Sequence, residues 1–400
     1  MTKQVAVIGA GIVGACIAFA LVKRGARVVL IDRDEPGRAC SYGNLGAISE
    51  SSIAPLAMPG IVSTLPSMLT DRDSPLALAP GYLPRALPWL WRFLASAKPQ
   101  VVQTNADRLH ELYQGSYAAH AALAQEVGVP HLLQQKGHLF LYPDDEARAK
   151  DKATWALRSS HGQRLDYLDR AGIEALESGL PARYRSAVLI PDHATVLDPL
   201  RYVQAIVRAF VERGGELLRA NVRTVKPSAG GWTVMNDSAP IECDEVVVAA
   251  GAWAPRLLGT LGITLRLESQ RGYHVQYPGQ SALISRTVVL ADKKVFMAPM
   301  MDGLRIGGTV EIAGLDAPPT ARRAAVLERL ALEIFPQLAG VQPQHWMGHR
   351  PCMPDSVPVV GPAPGHAGLW LAVGHGHLGL TGSVNTARRL ADALINRPQV

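Results

Sequence analysis

Three glycines near the start of the chain are the first residues whose spacing could do chemistry. Gly9-Ala-Gly11-Ile12-Val13-Gly14 follows the apolar run VAVI and opens an apolar pattern of helical period. In that setting Gly9 makes a tight turn, Gly11 lets backbone approach a pyrophosphate, and Gly14 allows close helix–strand packing. The phosphates then face free N–H groups at the helix N-terminus, where Ile12 and Val13 lie. Asp32, followed by Arg33, ends the next apolar run 18 residues beyond Gly14. An acidic side chain there can accept hydrogen bonds from an adenosine ribose. The pattern predicts a bound dinucleotide.

Positioning these residues requires a strand at 4–8, a helix at about 12–24 closed by Arg24 and Gly25, and a strand at 27–32. NAD and FAD share this motif. A simple NAD domain would continue with further parallel strand–helix units, whereas SYGNLGAIS (41–49) and a proline-rich stretch follow here. Pro55, Pro59, Pro66, Pro75, Pro80, Pro84 and Pro88 are expected to prevent any long helix between about 55 and 98. Downstream, helical patterns are expected at 103–127, 144–161, 320–335 and 380–396, and Asp198-Pro199 caps a helix running to about 213. Segments at 273–277, 287–291, 294–299 and 304–308 suggest an antiparallel sheet. Two glycine-bearing strand ends return late, VVVAAGAW (246–253) and LAVGHGHLGLTG (371–382).

Of the 400 residues, 48% are hydrophobic and 18% charged, enough for a large core and, by length, two domains. The net charge of +6 is scattered, without a basic run longer than pairs such as Arg322–Arg323, so no nucleic-acid partner is expected. Cys16, Cys40, Cys243 and Cys352 are far apart with no C-x-x-C pair, which argues for free thiols and against a zinc ribbon. No metal site is expected. The start is read as leaving no room for a secretory signal, and no run of 18 or more apolar residues suggests a membrane span. The expected location is cytoplasmic, with peripheral contact on the inner membrane face as the other placement.

Across nearly its whole length the chain resembles the D-amino acid oxidase superfamily of flavoproteins, and within it bacterial D-amino acid dehydrogenases. The resemblance rests on VAVIGAGIVG, SYGNLGAI, the LDP-initiated helix, VVVAAGAW, RGY at 271–273, HRPCMPDSVPVVGP at 349–362 and GHGHLGLTGSVNTARRLADAL at 374–394. It implies non-covalent FAD. Ser41, Asn44 and Gly46 would lie near the flavin, Val222 near the adenine and Gly251 on the pyrophosphate side. Gly376, Gly379 and Thr381 would crowd the flavin ring. The implied fold is α/β, a Rossmann-like FAD-binding domain (1–85, 191–262 and 346–400) with a second α+β substrate domain (86–190 and 263–345) built on a mostly antiparallel sheet.

The resemblance also places a substrate-carboxylate arginine at Arg350, and a guanidinium offers a two-pronged donor that matches a carboxylate. Tyr273 is the expected second contact, with a core position as the other reading; Arg271 and His274 stand beside it as further candidates. His375 and His377 flank Gly376, and His377 and Asn44 depart from relatives. The implied reaction is oxidative deamination of a small D-amino acid. A Cα hydride passes to flavin N5, and the imine is hydrolysed to a keto acid and ammonia. Cyclic imino-acid or D-hydroxyproline dehydrogenation, oxidation of N-substituted glycines, and a non-catalytic FAD subunit are the alternatives. The acceptor would be a quinone or O₂. LPRALPWLWRFLASA (83–97) reads either as a helix covering the flavin domain or as an interfacial segment on an anionic membrane.

Overall fold

The computed structural model of the chain describes residues 2–61 and 76–396. The apolar runs found near the N-terminus form adjacent parallel strands, Gln4–Ile8 and Arg27–Asp32. Glu216–Arg219 pairs outside the second of these, and Glu245–Val248 and then Leu369–Val373 extend the sheet on the other side, all parallel. Val359–Pro362 closes that edge as the sixth, antiparallel strand. Runs such as VAVI, VVLI and LWLAV are continuous because both faces of a parallel sheet are covered. One face packs under the first helix, Ile12–Lys23, together with Pro199–Glu212 and Gly379–Ile395. The other packs on a three-stranded sheet that contributes Val225, Trp232 and Val234.

The second sheet has nine strands and is mostly antiparallel. Its long strands are Gln344–Cys352, Glu268–Pro278 and Gly303–Ile312, in that spatial order. Ala321–Ile334 covers it, and the core between them contains Val275, Leu304, Ile306 and Leu327.

Sequence and structure differ in two places. Leu83–Ala95 is a helix despite its prolines. Pro84 sits in the first turn, where no N–H is missed, but Pro88 is interior and removes a hydrogen bond, a defect of about 3 kcal/mol. Burial of Ala86, Trp89 and Phe93 against Ile312 and Cys352 offsets it. Pro66 and Pro75 lie outside the described residues. Elements are also shared out differently from the boundaries above. The helices Pro99–Tyr113 and Ser116–Glu126 pack on the last helix, and Leu123 and Ala124 join the first core rather than the second. Conversely, Leu76–Leu78 and Gln344–Cys352 are strands of the nine-stranded sheet. No helix among the described residues is long and apolar enough to cross a membrane.

Candidate functional site

Four parallel strands, ending at Ile8, Asp32, Val248 and Val373, run out at one crevice, the place where ligands bind in open α/β sheets. A cavity of about 420 Å³ opens there, lined by Gly9, Gly11, Ile12, Val13, Asp32 and Arg33 from the first unit. Ser41, Asn44, Val222 and Gly251 line it further along, and Gly376, His377 and Gly379 close it.

Each motif glycine has its own reason. Gly9 has φ +107°, and a Cβ there would fall 2.5 Å from the Ala249 carbonyl oxygen. A Cβ on Gly14 would fall 1.8 Å from the Gly9 carbonyl oxygen, so Gly14 packs helix against strand and does not line the cavity. Gly11 is different: its nearest neighbour would be Ser41 Oγ, at an ordinary 3.5 Å. Gly251 (φ +54°) has no atom within 4 Å of its Cβ direction. These open positions face the cavity and form a cradle that side chains would fill, as a close-lying cofactor requires. The first helix carries no acidic residue in its first turn, which leaves its positive dipole end for phosphate. Ile12 N–H donates to Ser41 Oγ at 2.9 Å, fixing the loop at 41–49 to the helix. Asp32 accepts from Ala10 N–H (2.6 Å) and Asp34 N–H (3.0 Å), and burial raises its pKa. The Arg33 guanidinium lies 4.5 Å from the Trp253 ring centroid.

Besides Gly14, two expected cofactor contacts do not line the cavity. Gly46 (φ +75°) sits where a Cβ would fall 2.1 Å from the Val196 carbonyl oxygen. It is a glycine because the strand Ala47–Ile48 must pair with Ala194–Val196. Thr381 is buried and spans two backbone groups, accepting from Ser49 N–H and donating to the Ala47 carbonyl, both at 3.1 Å. Each braces the loop at 41–49 from behind the cavity.

Beside the cavity, next to Cys40 and His377, Arg350 is partly buried. One Nη donates to the Thr309 carbonyl at 3.0 Å, and no carboxylate among the described residues lies within ion-pair distance. Burial lowers its pKa. A Cβ on Gly272 would fall 2.2 Å from the guanidinium, so the glycine of the RGY motif makes room for it. Arg350 feels Cys40, and His377 in turn feels Arg350; both of those residues line the cavity. His377 has no hydrogen-bond partner among the described residues, and its ring is reachable from within the cleft. The surrounding protein, then the Arg350 charge, lower its pKa, although the side chain is exposed to the cleft.

Tyr273 is not brought to this site. Side chains alternate along a strand. Gly272 faces Arg350, so Tyr273 points the other way, into the second core. Its hydroxyl donates to Glu311 and accepts from Thr320 N–H at 3.0 Å. Arg271 is fully buried and donates to the carbonyls of Gly314, Ala317 and Pro318 as well as to Glu311. His274 bonds the Gly43 carbonyl at 3.1 Å and stacks on Trp346. His375 pairs with Thr386 at 3.0 Å. The residues that motif reading missed are Trp253, Arg223, Arg256 and His349, all lining the cavity. Trp253 and His349 stood inside quoted motifs, and their T-shaped contact at 5.4 Å ties the two segments together.

Fold and site define a two-sheet dinucleotide-binding oxidoreductase. The family model "FAD dependent oxidoreductase" (DAO) matches residues 4–393, and the chain belongs to that family. Its cofactor is therefore FAD. The chain is 37% identical to a D-amino-acid oxidase of Bradyrhizobium diazoefficiens, with 98% of this chain and 95% of the relative covered. It is 33% identical to D-amino acid dehydrogenase 2 of Ralstonia nicotianae, covering 98% and 97%. The glycine oxidase structure from Geobacillus kaustophilus superposes with a TM-score of 0.77 at 21% identity, over 100% of this chain and 96% of that one, a likeness of fold.

Proposed function

We propose that the protein oxidises a small D-amino acid to its imine, which water converts to a keto acid and ammonia. The observation that carries this reading is Arg350, a partly buried guanidinium beside the FAD cavity with no acid partner among the described residues. A carboxylate supplied by substrate would complete it with paired charge-assisted hydrogen bonds. The two relatives named for D-amino acids support the substrate hand. Bound FAD supplies the acceptor for the Cα hydride.

Arg350 anchors the carboxylate, and the Thr309 carbonyl holds the guanidinium in one orientation, which fixes the Cα–H relative to the cofactor cavity. His377, neutral at pH 7, accepts a hydrogen bond from the substrate amine without repelling it. No strong protein base is needed if the amine enters deprotonated. FAD is held without a covalent bond. Cys40, the one thiol lining the described cavity, donates to the His349 carbonyl, and burial pushes its pKa up to about 11, away from a nucleophilic thiolate.

The test is anaerobic titration of the yellow protein with paired D- and L-amino acids, proline, hydroxyproline and sarcosine. Bleaching of the flavin band by D-forms is expected. Bleaching only by sarcosine or by cyclic imino acids would move the substrate class, and no bleaching by any of them would sink the reading. Reoxidation of the reduced protein by O₂ or by a soluble quinone then separates oxidase from dehydrogenase.

A further inference from the structure

The helix Leu83–Ala95 has two apolar faces. Its inner face is anchored beside the substrate arginine: Trp89 Nε1 donates to the Cys352 carbonyl at 3.0 Å, two residues along the strand from Arg350. Just after the helix, Ser96 Oγ donates to the Pro354 carbonyl at 2.9 Å. On the outer side, Leu83, Leu87 and Trp91 follow one another at intervals of four, which stacks them on one side of a helix. They are 39%, 53% and 77% exposed, and Trp91 is the most exposed large hydrophobic residue among those described. Pro84 and Pro88 are exposed alongside them.

Along the segment itself the charge has one sign. Arg85, Arg92 and Lys98 are exposed, and none lies within ion-pair distance of a carboxylate among the described residues. From Ser74 through Ala106 the chain contains no Asp or Glu. A stripe of three residues is short of the ~800 Å² per partner that a stable protein interface buries. A second copy would set the same cations against each other. Leucine and tryptophan rimmed by arginine and lysine match the boundary between acyl chains and anionic headgroups.

We propose that Leu83–Ala95 rests on an anionic lipid surface, with Leu83, Leu87 and Trp91 at the acyl boundary and Arg85, Arg92 and Lys98 against headgroup phosphates. The helix meets lipid on one face and the strand of Arg350 on the other, so docking holds the substrate end of the enzyme next to the membrane. The proposal stands apart from the substrate reading, because binding to lipid is measured without turnover.

The FAD-loaded chain is sedimented with vesicles of phosphatidylcholine alone or mixed with phosphatidylglycerol. Binding to the mixed vesicles only is expected, weakened by salt. Arg85→Gln and Arg92→Gln should each reduce it by roughly fivefold. Leu87→Ser with Trp91→Ser should abolish it while the flavin spectrum and melting temperature stay unchanged. If that pair releases FAD, the two arginine variants carry the decision. Absence of binding to the mixed vesicles, equal binding to both, or binding indifferent to all four substitutions overturns the proposal. A dimer that Trp91→Ser dissolves would do so too, because a second copy would then cover the stripe.

Discussion

An enclosed guanidinium with no acid beside it is costly to fold unless a ligand completes the pair. Arg350 is partly buried, and among the described residues it has a single carbonyl partner and no acid. Arg350→Ala is predicted to leave FAD bound and to raise KM by about tenfold to a hundredfold, the equivalent of about 1.5–3 kcal/mol. Steady-state kinetics on the flavin-loaded variant would measure it, and an unchanged KM removes Arg350 from the site. Tyr273→Phe should do the opposite. KM should hold while unfolding stability drops by about 1–3 kcal/mol, because buried Glu311 loses a donor. Denaturant unfolding beside the same kinetics separates the two; a raised KM would return Tyr273 to the pocket. The place of Arg350 beside the cavity was legible because its motif names a position on one strand. Tyr273 was not, because three letters, RGY, do not say which face of the strand turns toward the ligand.

The turn from the first strand into the first helix makes a different kind of prediction. Gly11→Val should yield folded apoprotein, since the added atoms enter the cofactor's space and meet only Ser41 on the protein side. Gly14→Ala should impair folding itself, because its Cβ would collide with the Gly9 carbonyl. The flavin-to-protein absorbance ratio and the circular dichroism spectrum distinguish these cases. A Gly11→Val protein that retains FAD would overturn the cradle. The strand–helix–strand unit was readable because its period, caps and glycines all agree. Leu83–Ala95 was legible only in part: its apolar spacing offered a helix while its prolines argued against one, because local rules price Pro88 without seeing Trp89 and Phe93 buried against a strand more than 250 residues away in the sequence.

Across the whole molecule, buried histidines tie stability to pH. Burial holds His120, His138 and His375 down to about 4 and His274 to about 3, and lowers His193 as well. His138 donates from Nε2 to the Ala194 carbonyl, so its Nδ1 must accept from His193 Nδ1, which leaves His193 Nε2 to accept from Ser51. Both rings are therefore neutral. In the unfolded chain these groups titrate near 6.5, so between about 6.5 and 4 the unfolded state binds more protons than the native one. Stability is then full above that window and falls as pH drops through it, by about 1 kcal/mol per histidine for each pH unit. Urea midpoints that stay level from pH 7.5 to pH 5 would contradict this. The two-sheet plan was legible from strand–helix units at both ends of the chain. The boundaries were not, since Pro99–Glu126 reads as helical wherever it packs, and only the last helix decides where that is. That helix also sets an order of events during synthesis. The wall of the cavity at 374–380 leaves the ribosome long after Gly9 does, so the cradle for FAD is begun early and closed only when that later segment has been made. Until then the first sheet waits without its strand at Leu369–Val373, its apolar faces open. Cofactor capture therefore has to wait for a segment made more than 350 residues after the glycine turn that receives it.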